Sequence, residues 1–116
     1  VIEPKRPSSA NPLSDDVEPI GTELLYADDE VRIWNLELAP GEKTEVHQHP
    51  CDYVYVVLAP GSTETHHQDG RVDPVTDAVG DHVRHGMGIP HQLHNVGTGR
   101  YRNIIVELLS EKTKPW

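Results

Sequence analysis

Gly41-Glu42-Lys43-Thr44-Glu45-Val46-His47-Gln48-His49-Pro50 is the stretch that decides how this chain is read. A Pro40-Gly41 turn opens it, and Pro50 closes it directly after two histidines spaced by one residue. In a strand, side chains i and i+2 emerge on the same face, so His47 and His49 converge on one point. A second cluster follows, with Gly80, Gly86, Gly88, His91 and Asn95. It reads as a strand entered through the Gly88-Ile89-Pro90 turn, and it presents one more imidazole. A third histidine from a distant strand completes three facial ligands and leaves positions open for water or substrate, which is how a catalytic metal site is built.

Written as patterns, the clusters are Gly-x5-His-x-His-Pro, from Gly41 to about Gly61, and Gly-x5-Gly-x-Gly-x2-His-x3-Asn, from Gly80 to Asn95. Together they resemble the two conserved motifs of the cupins, and with their flanking strands the resemblance covers roughly Leu24 to Leu109. It implies an all-β double-stranded β-helix, a jelly-roll barrel with one metal inside. His47, His49 and His91 fall on the motif's three histidine positions. The chain departs from the motif at three places. Tyr53 stands where a glutamate ligand is usual, Gly86 stands where proline is usual, and the closing glycine of the first motif is displaced to Gly61. The Tyr53 departure removes the fourth protein ligand. The stretches Val31-Arg32-Ile33-Trp34, Leu38 to Glu42 and Asp52-Tyr53-Val54 are also similar to small cupins linked to β-alanine degradation.

Outward from these motifs, turn signals recur about every ten residues: Asp28-Asp29, Pro40-Gly41, Pro60-Gly61, Asp69-Gly70, Gly80-Asp81 and Gly97-Thr98-Gly99. Short runs rich in Val, Ile, Thr, Leu and Tyr lie between them, the pattern of a β-sandwich or barrel. The clearest strands are residues 31–38, 53–58 and 101–109, and no helix is expected. Ile104-Ile105-Val106 reads as buried on both faces, and Asp69-Gly70 as a two-residue type I′ hairpin turn. An immunoglobulin-like sandwich lacks its Cys–Trp–Cys spacing here and gives no reason for the histidine spacings.

A chain of 116 residues is one domain. The expected division is an extended Pro-rich arm over residues 1–20, a barrel over 21–110 and a tail over 111–116. The arm carries Pro4, Pro7, Pro12 and Pro19, which rule out a helix and oppose central-strand pairing. Apolar content of 35% with no Phe is lean for a barrel. A dimer interface, which the resemblance also implies, would supply burial. The net charge of −9 argues against nucleic acid and anionic membrane surfaces as partners, since phosphates require Lys and Arg. No apolar run is long enough to span a bilayer. The chain starts at Val1 rather than Met, which reads as processing or trimming, and no signal peptide stands out. A single Cys cannot close an internal disulfide, which fits the cytoplasm.

The remaining candidates follow from parity. Tyr53 is the candidate catalytic residue, as a general acid or base, a metal ligand or simple packing; Tyr55 shares its face. Asn95 is read as fixing a strand end and Cys51 as pointing away from the metal. His94 is read as outward, and His66, His67, His82 and His85 as surface or interface residues. Trp34 is read as core, and Arg32 is a candidate for binding a carboxylate at the barrel mouth. Three neutral imidazoles leave a bound metal at full charge, which favours a small polar or anionic molecule. The three-His pattern resembles the non-haem iron centres of cupin dioxygenases. Fe(II) is therefore the expected ion, with Zn, Ni, Mn or Cu as substitutes, and isomerase, lyase and purely ligand-binding roles stay open. Protons compete for the same lone pairs, so occupancy is expected to fall below about pH 6.

Overall fold

Alternation of apolar and polar residues builds eight antiparallel strands in the computed structural model, which describes residues 20–109. They are β1 Glu23–Ala27, β2 Val31–Leu38, β3 Tyr53–Ala59, β4 Gly61–His67, β5 Val72–Asp77, β6 His82–His85, β7 His91–Asn95 and β8 Tyr101–Leu108. Among the described residues there is no helix, and so none long and apolar enough to cross a membrane. The expected arm and tail lie outside the described residues, except that Ile20 is seated in the core at 1% exposure.

The strands form two sheets. One has five strands in the order β1-β2-β8-β3-β6, and the other three in the order β5-β4-β7. The chain passes from one sheet to the other between β3 and β4 through Pro60 alone. Gly61 permits that corner, because a Cβ there would lie 3.3 Å from the Tyr101 ring. The three-stranded sheet is extended at β7 by two single bridges, Lys43 with His94 and His47 with His91. Pro74 sits in β5, an edge strand, where its missing N–H costs no ladder bond.

The core lies between the sheets and is made by Ile20, Trp34, Leu36, Leu38, Tyr53, Val57, Tyr101 and Ile105. Full burial of each aliphatic side chain contributes about 1.5–3 kcal/mol. The same interior also buries Thr63, Asp77, Asn95, Asn103, Glu107, His47 and His49. A core with so many polar groups is organised around something other than packing alone.

Two local expectations are corrected. The run Ile104-Ile105-Val106 is not buried on both faces. β8 alternates strictly, with Tyr101, Asn103, Ile105 and Glu107 buried and the residues between them half-exposed. One face of its sheet meets the barrel interior and the other faces outward, so period two prevails over the local apolar run. The β4–β5 turn is not type I′, which requires positive φ at both central residues. Within this turn only Gly70 has positive φ, at 96°, and Asp69 does not. Gly70 N donates to His67 O and His67 N donates to Arg71 O, a three-residue loop with glycine in the left-handed region. Asp69 Oδ1 accepts the Arg71 N–H across it.

Candidate metal centre

His47 and His91 are distant in sequence and meet through the backbone. His47 N donates to His91 O at 2.9 Å and His91 N donates to His47 O at 2.8 Å. That pairing sets the two imidazoles side by side on one face, with ring centroids 4.7 Å apart. His49, two residues on, brings its ring to 5.1 Å from His47 and 5.2 Å from His91. One ligand atom from each of the three lies within 4.8 Å of the others, so the trio can hold a metal ion.

The outer ring nitrogens settle how these imidazoles present themselves. His47 Nδ1 lies 2.9 Å from Glu45 O, and His91 Nδ1 lies 3.0 Å from Ile89 O. A carbonyl only accepts, so each Nδ1 carries the proton and each Nε2 keeps its lone pair. Burial, with His47 beside it, holds the His91 imidazolium down to about pKa 4. His91 is therefore a neutral ligand throughout the physiological range. The unfolded chain takes up this proton near pH 6.5 and the folded chain only near 4. Between those values the unfolded state binds more protons, so stability falls as pH falls. Metal-stripped protein should lose melting temperature from about pH 6.5 to 4, and His91→Gln should lose less. Parallel losses in the two proteins would show that His91 is not the group responsible.

His49 is oriented differently, by a carboxylate absent from the sequence reading. Glu107 is wholly buried on β8 and pairs in register with Tyr53 on β3. Its Oε1 accepts from Arg32 Nε and from Trp34 Nε1, both at 2.9 Å. Its Oε2 faces His49 Nδ1 at 3.9 Å, too long for a hydrogen bond, and neither atom has another hydrogen-bond partner among the described residues. Burial alone would raise the Glu107 carboxyl. The opposing pull of His49, Trp34 and Arg32 holds it below its usual range. An ionised carboxylate thus stands behind His49, and Nδ1 is the ring nitrogen that faces it. The Arg32 expectation is refined: the carboxylate it binds is internal.

Tyr53 lies face to face on His49, with centroids 3.6 Å apart and planes 12° from parallel. Burial, with Tyr55 nearby, pushes its phenol above the usual range, so it keeps its proton. Among the described residues its hydroxyl has no hydrogen-bond partner. The centre opens into a cavity of about 550 Å³ between the two sheets, lined among others by Tyr53, Tyr55, His67, His85, Leu36 and Ile105.

Two of the four histidines read as surface or interface residues line this cavity, and one of them, His85, is exposed as expected. His67 pairs in register with His91 and holds Asp73 Oδ2 at 2.8 Å through Nε2. His85 approaches the Tyr53 and Tyr55 rings. Parity restricts one of two adjacent residues to the interior but does not say which, and cross-strand register supplies the answer. His66 stacks on His94 away from the cavity, and His82 is exposed. Asn95 ties a strand end as expected, donating to Leu38 O and Gly99 O and accepting from Gly97 N. Cys51 is half-buried and does not line the cavity.

Two facing antiparallel sheets that place three histidines inside them define the class: the fold is the cupin double-stranded β-helix. Solved structures share it. They include a cupin domain from Bordetella pertussis Tohama I (TM-score 0.68, 20% identity, 73% of this chain and 88% of that one). A DMSP lyase from Ruegeria pomeroyi matches with TM-score 0.52 and 20% identity over 77% of this chain and 43% of that one. A sugar phosphate isomerase from Silicibacter pomeroyi matches with TM-score 0.51 and 19% identity over 68% and 50%. At these identities the likeness concerns the fold alone. Residues 11–72 match the family model described as auxin binding protein, and the chain belongs to that family. A stretch of 47 residues is 43% identical to auxin-binding protein 1 of Arabidopsis thaliana, covering 37% of this chain and only 24% of that protein.

Proposed function

We propose that this chain is a metal-dependent cupin enzyme that binds one divalent ion through Nε2 of His47, His49 and His91 and acts on a small polar or anionic molecule in the cavity. The observation that carries this is the convergence of three imidazoles at a roomy cavity, with two of them held in the ligating tautomer by backbone carbonyls. Fe(II) is the proposed ion of the active form. Zn, Ni, Mn or Cu can occupy recombinant material, because affinity alone does not select among them at an all-nitrogen site. When bound, the ion supplies Lewis-acid or redox chemistry to an oxygen-bearing substrate. Dioxygenase, lyase and isomerase reactions are all compatible with it, and a lyase and an isomerase are among the structural neighbours.

The chain's own groups set the rest. Tyr53 is the proposed catalytic residue, as a neutral phenol that donates a proton or a hydrogen bond to a substrate oxygen. Its burial suits it to donation rather than to ligation as phenolate. Leu36, Ile105 and the Tyr55 ring line the inner cavity. We further propose a cytoplasmic homodimer, with the segment before Ile20 as an arm beside the barrel and small molecules as the only partners. A second reading, a binding module without turnover, is favoured by the family's own description as auxin-binding.

Metal titration of chelator-stripped protein, followed by oxygen-uptake and ligand-binding screens of the iron form, tests the proposal. No saturable site would overturn it, and ligand binding without turnover would select the second reading. In the same assays Tyr53→Phe should keep metal affinity and fold but lose activity by about 10²-fold. Unchanged activity would retire Tyr53 to packing, and weakened metal binding would make it a ligand.

A further inference from the structure

The cavity has a second polar end. Tyr101 and Asn103 are consecutive inward positions of β8, and Asp77 ends β5; all three line the cavity. The Tyr101 hydroxyl donates to Asp77 Oδ2 at 3.0 Å, and Asn103 Nδ2 donates to the Tyr101 oxygen at 2.9 Å. The direction of this chain is forced. A carboxylate only accepts, so Tyr101 must donate to it, and the Tyr101 oxygen must then take its own bond from the Asn103 amide N–H. Asn103 Oδ1 is therefore the amide atom not used by Tyr101, and it is buried without a partner. Asn103 is 4% exposed and Asp77 7%. Among the described residues no basic group pairs with Asp77, and the charged group that acts on it, Asp81, is also acidic. Asn103 Oδ1 and the Asp77 carboxylate, which only accept, share this end with the Thr63 and Tyr55 hydroxyls, which line the same cavity and can donate or accept.

The position of the cluster is set by register. Asn103 lies four residues before Glu107 on β8, about 13 Å of extended strand. On the facing sheet, Thr63 precedes His67 by the same number of residues and pairs with Asn95, as His67 pairs with His91. Both sheets thus put the acceptor cluster at the end opposite the three imidazoles. Leu93 and Ile105 line the stretch between, and Leu36 lies level with Asn103.

We infer that the cavity's ligand is an elongated amphipathic molecule whose far end carries an amine or ammonium group, held between Asn103 Oδ1 and the Asp77 carboxylate. Its oxygen-bearing end faces His47, His49 and His91, and that half rests on the metal reading; the amine half does not.

Isothermal titration of the metal-loaded full chain with hexanoate, its terminal-amino derivative and hexylamine tests the assignment. The amino derivative should bind at least about tenfold more tightly than hexanoate, the scale of one charge-assisted hydrogen bond. Asp77→Asn, which can still accept from Tyr101 and so spares the fold, should erase most of that preference. Asn103→Leu should do the same where it folds. Equal affinity of the native chain for hexanoate and its amino derivative would overturn the subsite. Repetition on chelator-stripped protein separates the two readings. Hexylamine bound equally with and without metal, beside hexanoate indifferent to metal, supports the subsite and counts against the metal centre. Metal-dependent hexanoate binding with no gain from the amine supports the metal centre and overturns the subsite.

Discussion

His49→Ala should bring metal occupancy from roughly one ion per chain to none, while the β circular-dichroism signal survives. Of the three imidazoles, His49 is the most buried and the one with a carboxylate behind it. Its loss leaves two nitrogens on the His47–His91 bridge, too few to hold an ion against solvent or chelator. The barrel itself does not depend on the imidazole, because strand pairing and the Trp34–Leu36–Leu38–Tyr101 core lie elsewhere. A His47→Ala, His49→Ala double variant that keeps full occupancy after dialysis against chelator would remove this centre from the protein.

Glu107→Gln should lower metal affinity about 10- to 100-fold, the usual scale for removing a carboxylate behind a ligating histidine, here one acting through its charge 3.9 Å from Nδ1. It should also destabilise the fold. Arg32, with a side chain only 14% exposed, would lose its counter-charge, and a broken buried pair costs about 3–5 kcal/mol. The two effects are separable. Glu107→Gln combined with Arg32→Gln removes the orphaned charge, so stability should largely return while metal affinity stays low. Denaturant unfolding and metal titration on the same samples read both quantities. Native metal affinity in the single variant would reduce Glu107 to a structural partner of Arg32 and Trp34. Glu107 matters because Tyr53 occupies the position where the motif carries an acidic ligand. The negative charge is kept, one strand away, behind the imidazole instead of beside the ion.

The histidine motif was legible because its signals are local. Two imidazoles spaced by one residue share a strand face whatever the tertiary structure, and Gly and Pro turns bound the strands on either side. The run Val31–Leu38 is read correctly to the residue for the same reason, since period-two alternation is a property of the strand itself. Glu107 was hidden by its neighbours. Ile104, Ile105 and Val106 read as a doubly buried run, which erases the parity that places Glu107 on the inner face with Tyr101, Asn103 and Ile105.

Composition and spacing alone determined an all-β sandwich or barrel, a net charge of −9, and two histidines on one strand face; the resemblance added the barrel and His91. Tertiary structure alone decided which other groups meet them. Pairing of β8 with β2 and β3 sets Glu107 among Arg32, Trp34 and His49, and pairing of β4 with β7 sets His67 beside His91. It also decided that Asn103 and Asp77 face one cavity with acceptors unfilled. The physical reason is that parity is inherited from the backbone within one strand. The partner across a sheet, or across a barrel, is chosen by register and by the return path of the chain, and no short stretch of sequence records either.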